Sequence, residues 1–258
     1  MLLAIDSGNT NTVFAIFDED GNIVGQWRAA AKTAKTADEL AVWLRQLMAL
    51  ENITRDNIDQ VIIATVVPEN LFDLRMLSEK YFNTTALVIG DNNVDLGIDI
   101  LVDRPGEVGA DRLVNTVSAH DTYGGPLIVV DFGTATTFDV VSANGAYEGG
   151  VIAPGVNLSL EALQRAAAKL PRIDIGKPAK VIGTNTITAM QSGIYYGYAS
   201  MIEGVVARIR EEKGDGTMRV IGTGGLATLY SAACPSIQNT DNDLTLRGLY
   251  TINRRNRT

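Results

Sequence analysis

One stretch of this chain is written twice. Leu3-Ala4-Ile5-Asp6-Ser7-Gly8-Asn9-Thr10-Asn11-Thr12-Val13-Phe14 lies over Ile128-Val129-Val130-Asp131-Phe132-Gly133-Thr134-Ala135-Thr136-Thr137-Phe138-Asp139, Asp on Asp and Gly on Gly, 125 positions apart in a chain of 258. A repeat at nearly half the chain length implies two domains on one plan, and the pattern break at Tyr123-Gly124-Gly125-Pro126 sets them at 1–122 and 123–258.

Both copies share one local grammar. An apolar, β-branched run meets Asp-x-Gly with small hydroxyl residues, and a second β-rich run follows. A further turn comes next, Asp20-Gly21 in one half and Asn144-Gly145 in the other, so each half opens on a three-stranded meander.

Helical periodicity then takes over. Thr36 with Glu39 forms a capping box ahead of a face carrying Leu40, Trp43, Leu44, Leu47 and Leu50. Val61 to Val67 reads as a strand buried on both faces. A helix over 69–81, a strand over 86–89 and a helix over 105–120 complete a βββαβαβα first half. In the second half the pattern predicts helices over 158–169 and 186–213, a strand over 218–221 and a last helix over 226–233. Arg254, Arg255 and Arg257 read as a solvated tail.

Composition narrows the function. With 22 basic and 30 acidic side chains the net charge is −8, which disfavours nucleic acid and anionic membranes as partners. One cysteine, Cys234, and one histidine, His120, exclude a disulfide scaffold and a thiolate or imidazole metal cluster. The apolar start Met1 to Ile5 is too short for a secretion signal and no run reaches ~20 apolar residues, so the expectation is a soluble, cytoplasmic protein. His120, near a helix C-terminus, suits the dipole there, and Cys234 before Pro235 reads as a small packed residue.

The repeated hairpins are the best candidates for chemistry. Amides and hydroxyls of a turn such as Asp6-Ser7-Gly8-Asn9-Thr10 can hold phosphate oxygens, and a carboxylate at the strand end can hold hydrated Mg²⁺. A plain hairpin that favours Asp, Gly and Asn is the competing reading. Duplication weighs against it, since two such turns facing one crevice suit a nucleotide. Gly222-Thr223-Gly224-Gly225 joins a strand to a helix start, where glycines let a backbone approach an adenosine. The same stretch fits G-x-G-x-x-A, but only 36 residues follow Gly222, too few for the rest of a Rossmann half, and no P-loop motif occurs.

These three motifs together resemble the phosphate-1, phosphate-2 and adenosine motifs of the superfamily of acetate and sugar kinases, heat-shock chaperones and actin. Within it the chain resembles the type III pantothenate kinases, through Glu107-Val108-Gly109-Ala110-Asp111-Arg112 with Asn115, Glu148 to Gly155, and Gly183 to Thr186 followed by Ala189 to Gly193. The match runs from Leu3 to about Arg247. The resemblance implies an α/β protein of two duplicated ribonuclease-H-like domains, the actin-like ATPase fold, with the active site in the cleft between them. It implies ATP-dependent phosphorylation of pantothenate to 4'-phosphopantothenate, the first step of coenzyme A biosynthesis, by a homodimer.

Carried over residue by residue, the resemblance makes Asp111 the general base. It gives the ATP site Asp6, Ser7, Gly8, Asn9, Thr10, Asn11, Thr12, Val13, Thr134, Gly222, Gly224 and Gly225. Gly109, Ala110, Asp111, Arg112 and Thr186 would contact pantothenate, Thr186 from the partner subunit, and Arg112 suits its carboxylate. Asp131 would help bind K⁺ or NH₄⁺, and Asp6 would hold Mg²⁺ through water. One departure stands out: Val102-Asp103-Arg104-Pro105 occupies the place of a Tyr-x-Asn-Pro stretch, so the phenol contact is absent at Val102. The alternatives are a nucleotide-binding regulatory relative without turnover and a kinase of another small alcohol or acid. Gly193, Gly197, Ser200 and Gly204 form a strip on the long helix where another backbone can come close, within the chain or from a second subunit.

Overall fold

A computed structural model describes residues 1–31, 35–167 and 170–257. Two compact units result: one holds the described residues of Met1–Asp99, Asp103–Ser118 and Leu244–Thr258, the other Ile100–Val102 and Ala119–Asp243.

The first unit is built on β1 (Leu2–Ser7), β2 (Asn11–Phe17), β3 (Ile23–Ala30), β4 (Gln60–Thr65) and β5 (Leu87–Val88), in the order β3-β2-β1-β4-β5. Strands β1 to β3 run antiparallel as the expected meander, and β4 and β5 add in parallel. The crossovers are α1 (Ala37–Leu50) and α2 (Pro68–Phe82), and α3 (Ala110–Tyr123) follows β5. This is the expected βββαβαβα order.

The central strands bury both faces because helices cover both. Leu3, Ile5, Phe14 and Ile16 pack with Leu40 and Leu44 of α1 and Leu74 and Leu77 of α2. On the opposite face Leu2, Ala4, Ala15 and Phe17 pack with Val114 and Val117 of α3. Thr36 caps α1 with Glu39 in the capping box read from sequence. Its buried face is Ala37, Leu40, Ala41, Leu44 and Met48, while Leu50, expected on that face, is 75% exposed.

The second unit repeats the plan with β6 (Leu127–Phe132), β7 (Ala135–Val141), β8 (Tyr147–Pro154), β9 (Arg219–Gly224) and β10 (Asn239–Thr240), in the order β10-β9-β6-β7-β8. Its helices are α4 (Val156–Ala166), α5 (Thr186–Lys213) and the short α6 (Ala227–Ser231). The expected end of α4 at Lys169 lies outside the described residues. Gly21 and Gly145 both take the left-handed conformation that the turn after the second strand requires, at φ +87° and +84°.

Several expectations are corrected. Ser7 pairs with Thr12 while Phe132 pairs with Thr136, so the second hairpin is one residue shorter. Beyond the turn the true offset is therefore 124, Phe14 matches Phe138, and β2 and β7 share one alternation of burial. Helix α3 begins at Ala110, not at residue 105, because Pro105–Glu107 closes as a 3-10 turn and Gly109 interrupts the path. Strand β9 runs through Gly224, so Gly222 is paired inside the sheet and the turn falls at Gly225-Leu226.

The last correction concerns the end of the chain. Arg254 and Arg255, read as part of a tail, close a helix, α7 (Leu244–Arg255), whose Leu246, Leu249 and Ile252 pack on the β1 face opposite α1 and α2. The arginines are exposed yet tethered: Arg257 donates to Gln60 at 2.8 Å, Arg255 to the Leu96 carbonyl, and Arg254 lies over the Tyr250 ring. The units therefore do not divide at 122/123, since α7 returns to the first.

Candidate active site

The geometry of the first unit follows from strand alternation. Asp6 shares its face of β1 with Leu2 and Ala4, whereas Ser7 shares the other with Leu3 and Ile5. Register extends the Asp6 face across the sheet: Asp6 pairs with Val13, and Val13 with Arg28. Asn11, two residues from Val13, belongs to this face.

Asp111, in the first turn of α3, is the second carboxylate here. Burial raises the Asp6 carboxyl from its ordinary 3.8 to about 7, the negative charge of Asp111 adds to the rise, and Arg28 opposes it. Burial also raises Asp111, against the Arg112 amide, which donates to its Oδ1 at 2.8 Å, and against the Arg112 guanidinium. A helix N-terminus favours the ionised carboxylate. Gly109 is required beside it, since a Cβ there would stand 2.7 Å from Asp111 Oδ1.

The hairpin between β1 and β2 closes on a bond from the Gly8 amide to the Asn11 carbonyl at 3.0 Å, with Asn9 and Thr10 exposed at its tip. Ser7 and Thr12 differ from their neighbours in the sequence-derived group. Both are buried on the α1 and α2 side, with hydroxyls 3.2 Å apart, and Asn70 donates to Ser7 Oγ at 3.1 Å. Their hydroxyls are thus turned away from Asp6.

The second unit gathers its own motifs. Asp131, one residue before the end of β6, lies against Gly224, whose φ of +88° suits glycine and on which a Cβ would come 2.5 Å from Asp131 Oδ1. Gly133 donates to the Ala135 carbonyl at 3.0 Å, closing the hairpin that exposes Thr134. The Gly155 amide bonds the Thr134 carbonyl at 3.1 Å, so close that a Cβ on Gly155 would meet that oxygen at 2.2 Å. The phosphate-2, Gly155 and adenosine-type motifs therefore meet in one unit.

Other expected residues lie apart from these hairpins or serve packing. Thr186 opens α5, exposed, after the Asn185 cap. Val102 runs beside β8, 3.7 Å from a Cβ position on Gly149. Helix α6 spans five residues, too short for a substantial dipole toward an anion. His120 Nε2 lies 3.2 Å from the Ala143 carbonyl, and its ring backs Gly145. Burial pushes the Cys234 thiol up to about 12, which leaves it inert.

Sequence reading missed two residues, Arg28 and Asn70. Arg28 becomes visible only once β3 is registered on β2. Asn70 sits in the first turn of α2, behind a Pro68 start that signals the helix but not the contact.

Two mixed sheets of this order, each with a carboxylate at the first hairpin, define the actin-like ATPase and sugar kinase fold. In agreement, component A of (R)-2-hydroxyglutaryl-CoA dehydratase from Acidaminococcus fermentans superposes at a TM-score of 0.58 with 14% identity, covering 99% of each chain. The chain belongs to the type III pantothenate kinase family, whose pattern it matches over residues 2–208. It is 63% identical to the type III pantothenate kinase of Rhodospirillum rubrum over 99% of both chains. It is 60% identical to that of Paramagnetospirillum magneticum, over 100% of this chain and 98% of the relative.

Proposed function

We propose that this protein transfers the γ-phosphoryl group of ATP to the primary hydroxyl of pantothenate, giving 4'-phosphopantothenate and ADP at the entry to coenzyme A biosynthesis. Family membership supports the substrates, and the convergence of Asp6 and Asp111 on one face of the first unit carries the chemistry.

Asp111 accepts the hydroxyl proton as that oxygen bonds to the γ-phosphorus and the bond to the β–γ bridging oxygen breaks. Its raised pKa brings it nearer to working pH, which strengthens it as a base. Phosphoryl transfer depends mainly on positioning and charge neutralisation, so a carboxylate suffices. Arg112, next along the helix, offers its guanidinium to the pantothenate carboxylate, with Gly109 and Ala110 shaping the pocket. Backbone groups of Gly8 to Asn11 hold phosphate oxygens, Arg28 faces the same side, and Thr134 contributes from the second hairpin. Gly224 and Gly225 lie against the adenosine, and Thr186 contacts pantothenate across a dimer.

The residues fit the cations this chemistry uses. The negative charge of Asp111 opposes ionisation of Asp6, and a cation relieves that repulsion. Among the described residues no cluster of three or more His, Cys, Asp or Glu occurs, so Asp6 suits Mg²⁺ that keeps water and phosphate oxygens as its other ligands. Bound Mg²⁺ supplies charge neutralisation at the phosphates. Asp131 with nearby backbone oxygens suits a monovalent cation, K⁺ or NH₄⁺. Among the described residues no helix is long and apolar enough to cross a membrane. The proposed place of action is the cytoplasm, where ATP is available.

Purified protein supplied with ATP, Mg²⁺ and K⁺ should release ADP with pantothenate and not with hexoses or acetate, and Na⁺ in place of K⁺ should remove most turnover. Nucleotide binding without acceptor-dependent turnover would favour the regulatory reading instead.

A further inference from the structure

We infer that Asn70 is a positioning residue for nucleotide binding, acting through Ser7 to set the phosphate-holding hairpin of the first unit; the inference rests on the nucleotide-binding part of the function proposed above.

Ser7 is the last residue of β1 and leads into the hairpin. Its carbonyl accepts from the Val66 amide at 3.1 Å and from Thr65 Oγ1 at 3.3 Å. Its hydroxyl is held by Thr12 Oγ1 at 3.2 Å and Asn70 Nδ2 at 3.1 Å. Thr12 is the second residue of the return strand and pairs with Ser7, so the Ser7–Thr12 contact clamps the two ends of the loop, and Asn70 anchors that clamp to α2. Behind it a cavity of about 20 Å³ is lined in part by Ala29, Leu40 and Leu74. In such surroundings a hydroxyl pair left without its partner is costly, and a satisfied one is rigid.

The second unit supplies an internal comparison. Phe132 stands in the place of Ser7 and stacks on Tyr230 with ring centroids 5.4 Å apart and planes within 5°. Thr136, in the place of Thr12, is buried with no hydrogen-bond partner for its hydroxyl among the described residues. The same strand pair thus closes on an apolar contact, so the fold does not require the polar clamp. The polar clamp is therefore particular to the first hairpin, where it ties the loop ends to α2. Asn70 itself lies on the face away from Asp6 and acts only through Ser7.

Calorimetric titration of Mg·ADP into the full-length protein tests this. Asn70→Ala should weaken binding about tenfold, in the range expected for a lost hydrogen bond to a desolvated group, while the KM for pantothenate stays within about twofold. Ser7→Ala should weaken it at least as much, since it also removes the Thr12 contact, and the double variant should be no weaker than Ser7→Ala alone, because the loss of Asn70 acts only through Ser7. Asn70→Leu, which fills the space without a donor, serves if Asn70→Ala does not fold, with the same expected loss. An unchanged Mg·ADP affinity, or additive losses in the double variant, overturns the inference. A wild-type protein that binds Mg·ADP but never phosphorylates pantothenate overturns the proposed acceptor alone, because the titration reads the nucleotide without it.

Discussion

In the proposed reaction Asp111 and Asp6 do different work from one face. Asp111→Asn removes the proposed proton acceptor but keeps size and hydrogen-bonding reach, so kcat should fall by about 10²–10⁴ while Mg·ADP affinity stays within about threefold. Steady-state kinetics with calorimetry checks both, and an unchanged kcat would move the base elsewhere. Asp6 carries a stability signature as well. Its carboxyl binds a proton more tightly folded, at about 7, than at its ordinary 3.8. Between those values the native state holds more protons than the unfolded state, so stability falls as pH rises through this window and levels off above it. Without nucleotide and in the presence of a chelator, Asp6→Asn should raise the melting temperature by roughly 5 °C more at pH 8 than at pH 5. Equal shifts at the two pH values would mean that the Asp6 carboxyl is not held in its neutral form. Most of these residues were legible because Asp-x-Gly and Gly-Ala-Asp-Arg are local patterns. The direction of Ser7 was not, since which face a strand residue takes depends on what packs on each side.

At the scale of elements, the meanders and crossovers were legible wherever one physical signal dominated: Gly21 and Gly145 for turns, the Thr36–Glu39 box for α1, the apolar run of β4. Failures came where two signals competed. An ungapped alignment hid the shorter second hairpin, because Thr12 finds another threonine, Thr137, at the wrong offset. The basic close of the chain masked α7, although Leu246, Leu249 and Tyr250 already recur at helical spacing. Leu249 is fully buried on the first unit, so Leu249→Ala should cost about 2–5 kcal/mol, read as a marked drop in the denaturation midpoint. A tail without packing would lose nothing. The Gly155 contact makes an equally local forecast. Gly155→Ala brings a methyl to 2.2 Å from the Thr134 carbonyl, so the second hairpin must shift, and the KM for ATP should rise several-fold. An unaltered KM would show that the hairpin does not need that approach.

For the molecule as a whole, duplication explains the architecture but not the differences between its copies. The first unit closes its sheet with helices on both faces and takes α7 as part of its cover. Both units leave some apolar side chains open, Leu50 and Phe72 in the first, and Ile152 on β8, Leu158 on α4 and Ile187 on α5 in the second. The glycine strip of α5 was open to two readings, and packing within the chain is not what it does at Gly193 and Gly197, where an added Cβ would meet nothing within 4 Å. A helix face without Cβ atoms lets a second backbone approach closely. The dimer proposed above would use this strip for its contact, since a chain of net charge −8 repels its copies and needs a local close contact to associate. Light scattering should then give a mass twice the 27.6 kDa of one chain. Gly197→Arg, which sets a long charged side chain in the middle of the strip, should give monomers with an unchanged circular dichroism spectrum. If Thr186 acts across that contact, the same variant should raise the KM for pantothenate more than the KM for ATP. A dimer that survives Gly197→Arg would place the interface on another face.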